Sequence, residues 1–119
     1  MDNNLKKIVL ELSNAIKESE EYIKYCKYNN ELLENPEIKK LVDEFRVLQT
    51  KTELRRISGE DISKSEEDSV NALYEKVSEN ELSSNFIESE KKLIIMISEI
   101  YNMLGENISV DMDFFNSIN

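Results

Sequence analysis

An all-α fold is predicted by three features of the chain. Two glycines and one proline in 119 residues leave little for hairpins, bulges or phosphate-cradling loops, while Lys, Glu, Leu and Ile abound. Apolar residues recur at alternating steps of three and four, the spacing of one helix face. Capping and stopping residues bound the resulting stretches. The expected architecture is a single domain, residues 1–119, built as an elongated, oligomeric bundle of two long helices, one short helix and a third long one.

The first helix is expected over about residues 4–30, with Asp2 or Asn3 as its N-cap. Its seam is Leu5, Ile8, Leu12, Ala15, Ser19, Tyr22 and Cys26, widened by Val9, Ile16 and Ile23. At about 1.5 Å per residue this rod is about 40 Å long. Ser19 is the one polar residue in that seam; its hydroxyl is expected to bond the carbonyl four residues back, so that a second helix approaches closely.

Asn35-Pro36 opens the second helix, 36–57, as cap and first helical residue. Its face is Ile38, Leu41, Val42, Phe45, Leu48 and Thr52, and Ser58-Gly59 ends it. Residues 59–64 form a loop. Ser65 with Asp68 resembles a capping box opening a short helix, 66–79, that buries Val70, Leu73, Tyr74 and Val77. The last helix, 84–104, carries Phe86, Ile87, Leu93, Ile94, Ile97, Ile100, Tyr101 and Leu104 and is expected to stop at Gly105. Residues 106–119 are a tail with room for one more helical turn.

The net charge of −10, from 25 acidic and 15 basic residues, opposes direct binding to DNA, RNA or anionic lipid. No apolar run exceeds the five residues Leu93 to Ile97, against about 20 needed to span a bilayer. One cysteine cannot form an internal disulfide, and no signal-like apolar run follows MDNNLKK, so a cytoplasmic location is expected.

Catalysis is not expected. The chain has no histidine, and Cys26 therefore lacks the imidazole that activates nucleophilic cysteines. Phosphate-loop, dinucleotide, zincin and CxxC motifs are absent, and the only arginines, Arg46, Arg55 and Arg56, lie on one helix. No EF-hand spacing organises the acidic clusters at Glu18 to Glu21 and Glu60 to Asp68. No cofactor or metal is expected.

Cys26 reads as a small buried seam residue. Tyr22, Tyr25 and Tyr28 lie among Glu18, Glu20 and Glu21 as well as Lys24 and Lys27, which favours packing with a rim hydroxyl over base stacking. Two candidate partner surfaces stand out. Ile95, Met96 and Met103 lie outside the main stripe of the last helix, and adaptable interfaces and cores use such residues alike. Arg46, Lys51, Arg55 and Arg56 make the end of the second helix basic, as dipole complement on a solvated face or as a dock for an acidic protein surface or an RNA backbone.

The ordered patterns LSNAIKESEEYIKY, ENPEIKKLVDEF with Gln49 one turn past Phe45, Gly59, and NELSSNFIESEKKLIIMISEI resemble the YlbF/YmcA family of small bacterial regulators. Ala15, Ile16, Ser19, Glu20, Tyr22 and Tyr25 match its first-helix pattern, and Pro36, Phe45, Gln49 and Gly59 its second segment. The resemblance implies a non-catalytic all-α adaptor that joins related family members and the endoribonuclease RNase Y, steering mRNA processing and thereby competence, biofilm formation and sporulation. Some relatives carry C-terminal cysteines linked to an iron–sulfur cluster; no cysteine follows Cys26, so that cofactor does not carry over. Ser89 stands where the family pattern has a small alanine.

The expected function is a regulatory adaptor that self-associates through its long apolar stripes, with a homodimer the expected form, while Leu12, Ala15, Ile16, Ser19, Tyr22, Cys26 and Phe45 pack the helix seam. The alternative is a sensor holding a metabolite in a sealed interhelical cavity.

Overall fold

The computed structural model describes residues 1–109. Five helices follow one another: α1 (Asn3–Glu18), α2 (Glu20–Leu33), α3 (Pro36–Ile57), α4 (Lys64–Glu79) and α5 (Glu81–Asn107), with no strand among the described residues. The molecule is long and flat, 51 × 38 × 18 Å, with a radius of gyration of 17.7 Å. A compact chain of this length has about 13.5 Å, so mass is held well away from the centre.

The expected helix over 4–30 is broken at Ser19. Its backbone is extended, at φ −68° and ψ 150°, and it ends α1 and starts α2. Its hydroxyl donates to the Ile16 carbonyl at 2.6 Å, three residues back rather than four, and accepts from the Tyr22 amide at 3.2 Å. The physical reason lies in the next residues. Glu20 and Glu21 stand in the first turn of α2, where carboxylates favour a helix start, and serine is a strong N-cap.

α3 has the expected bounds. Asn35, however, does not cap it: the side-chain amide donates backwards to the Glu31 carbonyl at 2.9 Å and closes α2 instead. At the other end Gly59, at φ +83°, occupies the left-handed region, the Glu60 amide donates to the Arg55 carbonyl, and the Gly59 amide to that of Arg56. This paired closure satisfies carbonyls the helix leaves open, and a side chain at that φ would be strained.

α4 starts two residues before the expected 66–79. Ser63, not Ser65, is the cap: its hydroxyl accepts from the Glu66 amide at 3.2 Å and donates to the Glu66 carboxylate at 3.1 Å. Asn80, capping the Ser83 amide at 3.0 Å, starts α5 at Glu81, ahead of the expected 84. The helix also runs through Gly105 to Asn107 instead of stopping there, because Gly105 does not turn left-handed. The tail expected over 106–119 is therefore helical at its first two residues, and its last ten, 110–119, lie outside the described residues.

The core is small and sits where α2, α3 and α5 meet. Leu32, Val42 and Phe86 form its centre, and Tyr25, Tyr28, Ile38, Leu82 and Ile87 pack around them. The Tyr25 and Phe86 rings lie 5.7 Å apart, while Tyr28 shares a cleft with Leu82 and Asn85, so α2 runs antiparallel along the first half of α5. Beside this pair, Phe45 of α3 meets Tyr74 of α4 at 5.8 Å, and Val77 is buried. Ser83 and Ser89 are the small buried residues on α5, each satisfied on a carbonyl, Ser83 on Val77 at 2.6 Å and Ser89 on Phe86 at 2.8 Å. The buried serines among the described residues thus lie on α5, whereas Ser19 is half-buried and uses its hydroxyl on the two helix ends it joins.

Candidate interaction surface

One face of α5 is continuous at helical steps: Leu82, Phe86, Ser89, Leu93, Ile97, Ile100 and Leu104. Its first half is covered by α2. Past Leu93 the cover thins, leaving Ile97 47% and Leu104 49% exposed with Ile100 half-buried between them. α2 would have continued over them if it had not begun at Ser19.

The helix that leaves at Ser19 is uncovered as well. α1 has no buried residue and touches no element except α2. Leu5, Ile8, Val9 and Leu12 share one face, and Ile8 is 51% exposed. The seam expected along the first helix is thus divided. Leu12 and Ala15 are exposed, Ile16, Ser19, Tyr22 and Cys26 half-buried, and Phe45 buried in the core. Cys26, expected to be buried, is only half so, because α5 covers just one side of α2 here. Cys26 is also the main cause of a Tyr22 hydroxyl pKa raised above its ordinary value. Where α2 begins, Lys24 holds the Glu20 carboxyl below the usual carboxylate range at 2.7 Å.

Removing the double role of Ser19 has a defined outcome. Ser19→Ala deletes an N-cap and is expected to lower stability by about 1 kcal/mol, read by urea denaturation. No loss would show that the break is held by packing and not by the cap.

Of the expected partner residues, Met103 is 61% exposed, Ile95 is exposed and Met96 half-buried. Ile95 lines an open cleft of ≈ 410 Å³ together with Phe45, Arg46, Tyr74 and Ile94. The arginines are already engaged within the chain. Arg46 bonds Glu90 across to α5 at 2.8 Å and lies 5.8 Å over the Phe86 ring. Arg55 pairs with Glu60 at 2.8 Å and with Glu66, and Arg56 with Glu53 and, at 3.9 Å, Glu67. The basic patch therefore staples α3 to the following loop and α4, and of its four cations Lys51 alone has no ion pair among the described residues.

Sequence periodicity assigned Leu5, Ile8, Ile97 and Leu104 to apolar helix faces without saying which parts of them a neighbour covers. Their exposure was readable only from a mismatch: the stripes on the first and last helices are longer than the neighbouring elements that could cover them. The clefts between helices are open to solvent, the one between α3 and α4 being ≈ 340 Å³ and lined by Gln49, Thr52, Arg56 and Glu67 among others. Among the described residues no helix is long and apolar enough to cross a membrane, and no cluster of three or more His, Cys, Asp or Glu is set to hold a metal ion.

Comparison with known proteins adds the lineage. A UPF0342 protein of Caldicellulosiruptor saccharolyticus is 26% identical over 112 residues, covering 94% of this chain and 93% of its own. One from Bacillus licheniformis is 27% identical over 104 residues, 87% of this chain and 89% of its own. One from Alkalihalophilus pseudofirmus is 30% identical over 96 residues, 81% of each chain. No solved structure matches significantly. The family model described as "Control of competence regulator ComK, YlbF/YmcA" matches residues 6–109, nearly the whole of the described helical chain, and this protein belongs to the YlbF/YmcA family.

Proposed function

We propose that this chain is a non-catalytic regulatory adaptor that associates with itself and with other proteins in the cytoplasm. The observation that carries the reading is the surplus of apolar helix: α1 has no buried residue, and the second half of the α5 face leaves Ile97 and Leu104 exposed. Large exposed apolar strips mark protein contacts. The open clefts favour this reading over a metabolite sensor, which needs an enclosed site.

Family resemblance names the partners as related family members and an endoribonuclease like RNase Y, with mRNA processing as the process regulated. Affinity capture of the tagged chain from its native cytoplasm, with and without added ribonuclease, tests this. An endoribonuclease or a family relative is expected to co-purify under both conditions. Loss of every partner after nuclease treatment would replace protein contact with RNA tethering.

A further inference from the structure

We infer that two copies of this chain exchange their first helices, α1 of each lying on the uncovered half of α5 of the other. The inference rests on the self-association proposed above and specifies its geometry.

The two uncovered faces fit each other in length, register and charge. α1 has 16 residues and is about 24 Å long, and α5 from Leu93 to Asn107 is about 22 Å long. Register follows from the half of the seam that is already closed. Tyr25 lies against Phe86, and Glu20 is close enough to Lys92 to feel its charge, so a step back along α2 meets a step forward along α5. Carried past Ser19, that register sets Leu12 opposite Ile100, Ile8 opposite Leu104 and Lys6 opposite Glu106. Between Leu93 and Ser109 α5 and its end carry Glu99 and Glu106 and no cation, whereas α1 carries Lys6, Lys7 and Lys17 against Glu11 and Glu18, with Lys6 and Lys7 at the end that would meet Glu106. An antiparallel helix also brings the positive N-terminal end of α1 to the negative C-terminal end of α5.

A helix with the spacing of α1 is thus what the bare half of α5 requires. Its own α1 is turned aside by the extended Ser19 and makes no contact with it. A second copy supplies the same helix by a two-fold axis, and each copy then gives one strip and receives one. Two helix-long strips per copy amount to an area on the order of the roughly 800 Å² per partner of a standard interface.

The test uses the full chain with Cys26→Ser, Ile8→Cys and Leu104→Cys, treated with a short bifunctional maleimide and run on a denaturing gel. The expected product is a covalent species of twice the 13.9 kDa chain. A linked species of single-chain mass would show α1 folding back on its own α5 and overturn the exchange. So would absence of linkage in a protein that light scattering still finds dimeric, which leaves self-association standing through another face. Linkage that appears only on adding a family relative would assign the strip to that relative and overturn the second copy as occupant. A chain that scatters as 13.9 kDa overturns both the exchange and the self-association beneath it. In the unlinked protein, Ile97→Glu places a charge at a position already 47% exposed, so helix content should persist while the dimer dissociation constant rises at least about 100-fold. An unchanged constant would rule this strip out.

Discussion

Phe86→Ala is expected to lower the free energy of unfolding by about 3–5 kcal/mol, the range for deleting a buried aromatic side chain. Phe86 is 1% exposed and belongs to three helices at once. The Tyr25 ring of α2 lies 5.7 Å away, Val42 of α3 completes the cluster, and the Arg46 guanidinium sits 5.8 Å over its face. Truncation leaves a cavity that cannot close without drawing α2 and α3 together, and it removes the ring on which Arg46 rests while that residue stays bonded to Glu90. A domain of this size has about 5–15 kcal/mol in total, and with so few buried side chains this one belongs toward the lower end. Urea denaturation followed by circular dichroism reads the change. A loss under about 1.5 kcal/mol would mean that the centre of stability lies elsewhere, with the α3–α4 pair around Phe45 and Tyr74 the next place to look.

Ser83→Leu should come close to that effect for a different reason. Ser83 is completely buried where the end of α4 meets the start of α5, and its hydroxyl donates to the Val77 carbonyl at 2.6 Å. Leucine inserts extra carbons into filled space and removes the donor, so overpacking and an orphaned carbonyl add to about 2–5 kcal/mol. Ser83→Ala removes the donor alone and is expected to cost about 1 kcal/mol. Thermal melts of the two variants check the contrast; equal losses would show that volume is not limiting at this junction.

The helical class and most element positions were legible because local chemistry decides them. Pro36 has its own φ fixed by its ring and Gly59 takes a left-handed turn that residues with side chains resist, and α3 lies between them with the bounds that the sequence implies. The break at Ser19 was hidden because the apolar period runs on unchanged from Leu12 through Ile16 to Tyr22 and Cys26, and a period cannot report a change of direction that keeps phase. A cap signature was nonetheless present in Ser19-Glu20-Glu21, as it was in Ser63 followed three residues later by Glu66, which competed with the equally plausible Ser65.

Candidate contacts were less legible than elements. Periodicity separates apolar from polar faces but not a covered face from a bare one, so it did not tell exposed Ile8 and Ile97 from buried Phe86. Conversely, Arg46, Arg55 and Arg56 read as a free basic patch, since the carboxylates that neutralise them come from α5, from the loop and from α4. Ion pairing across elements depends on tertiary placement, which charge counting along one helix does not contain.

Ser19 also divides the chain energetically. Helix formation is cooperative only along an unbroken ladder of amide bonds, and the ladder of α1 ends where that of α2 starts. With no side chain buried in the core, the sixteen residues of α1 have little beyond their own marginal helix–coil balance and their contact with α2 to keep them ordered in a lone molecule. Under the proposed exchange, α1 can fray and re-form without loosening the rest, and its order is expected to report occupancy, rising with protein concentration while the body of the fold stays as it is.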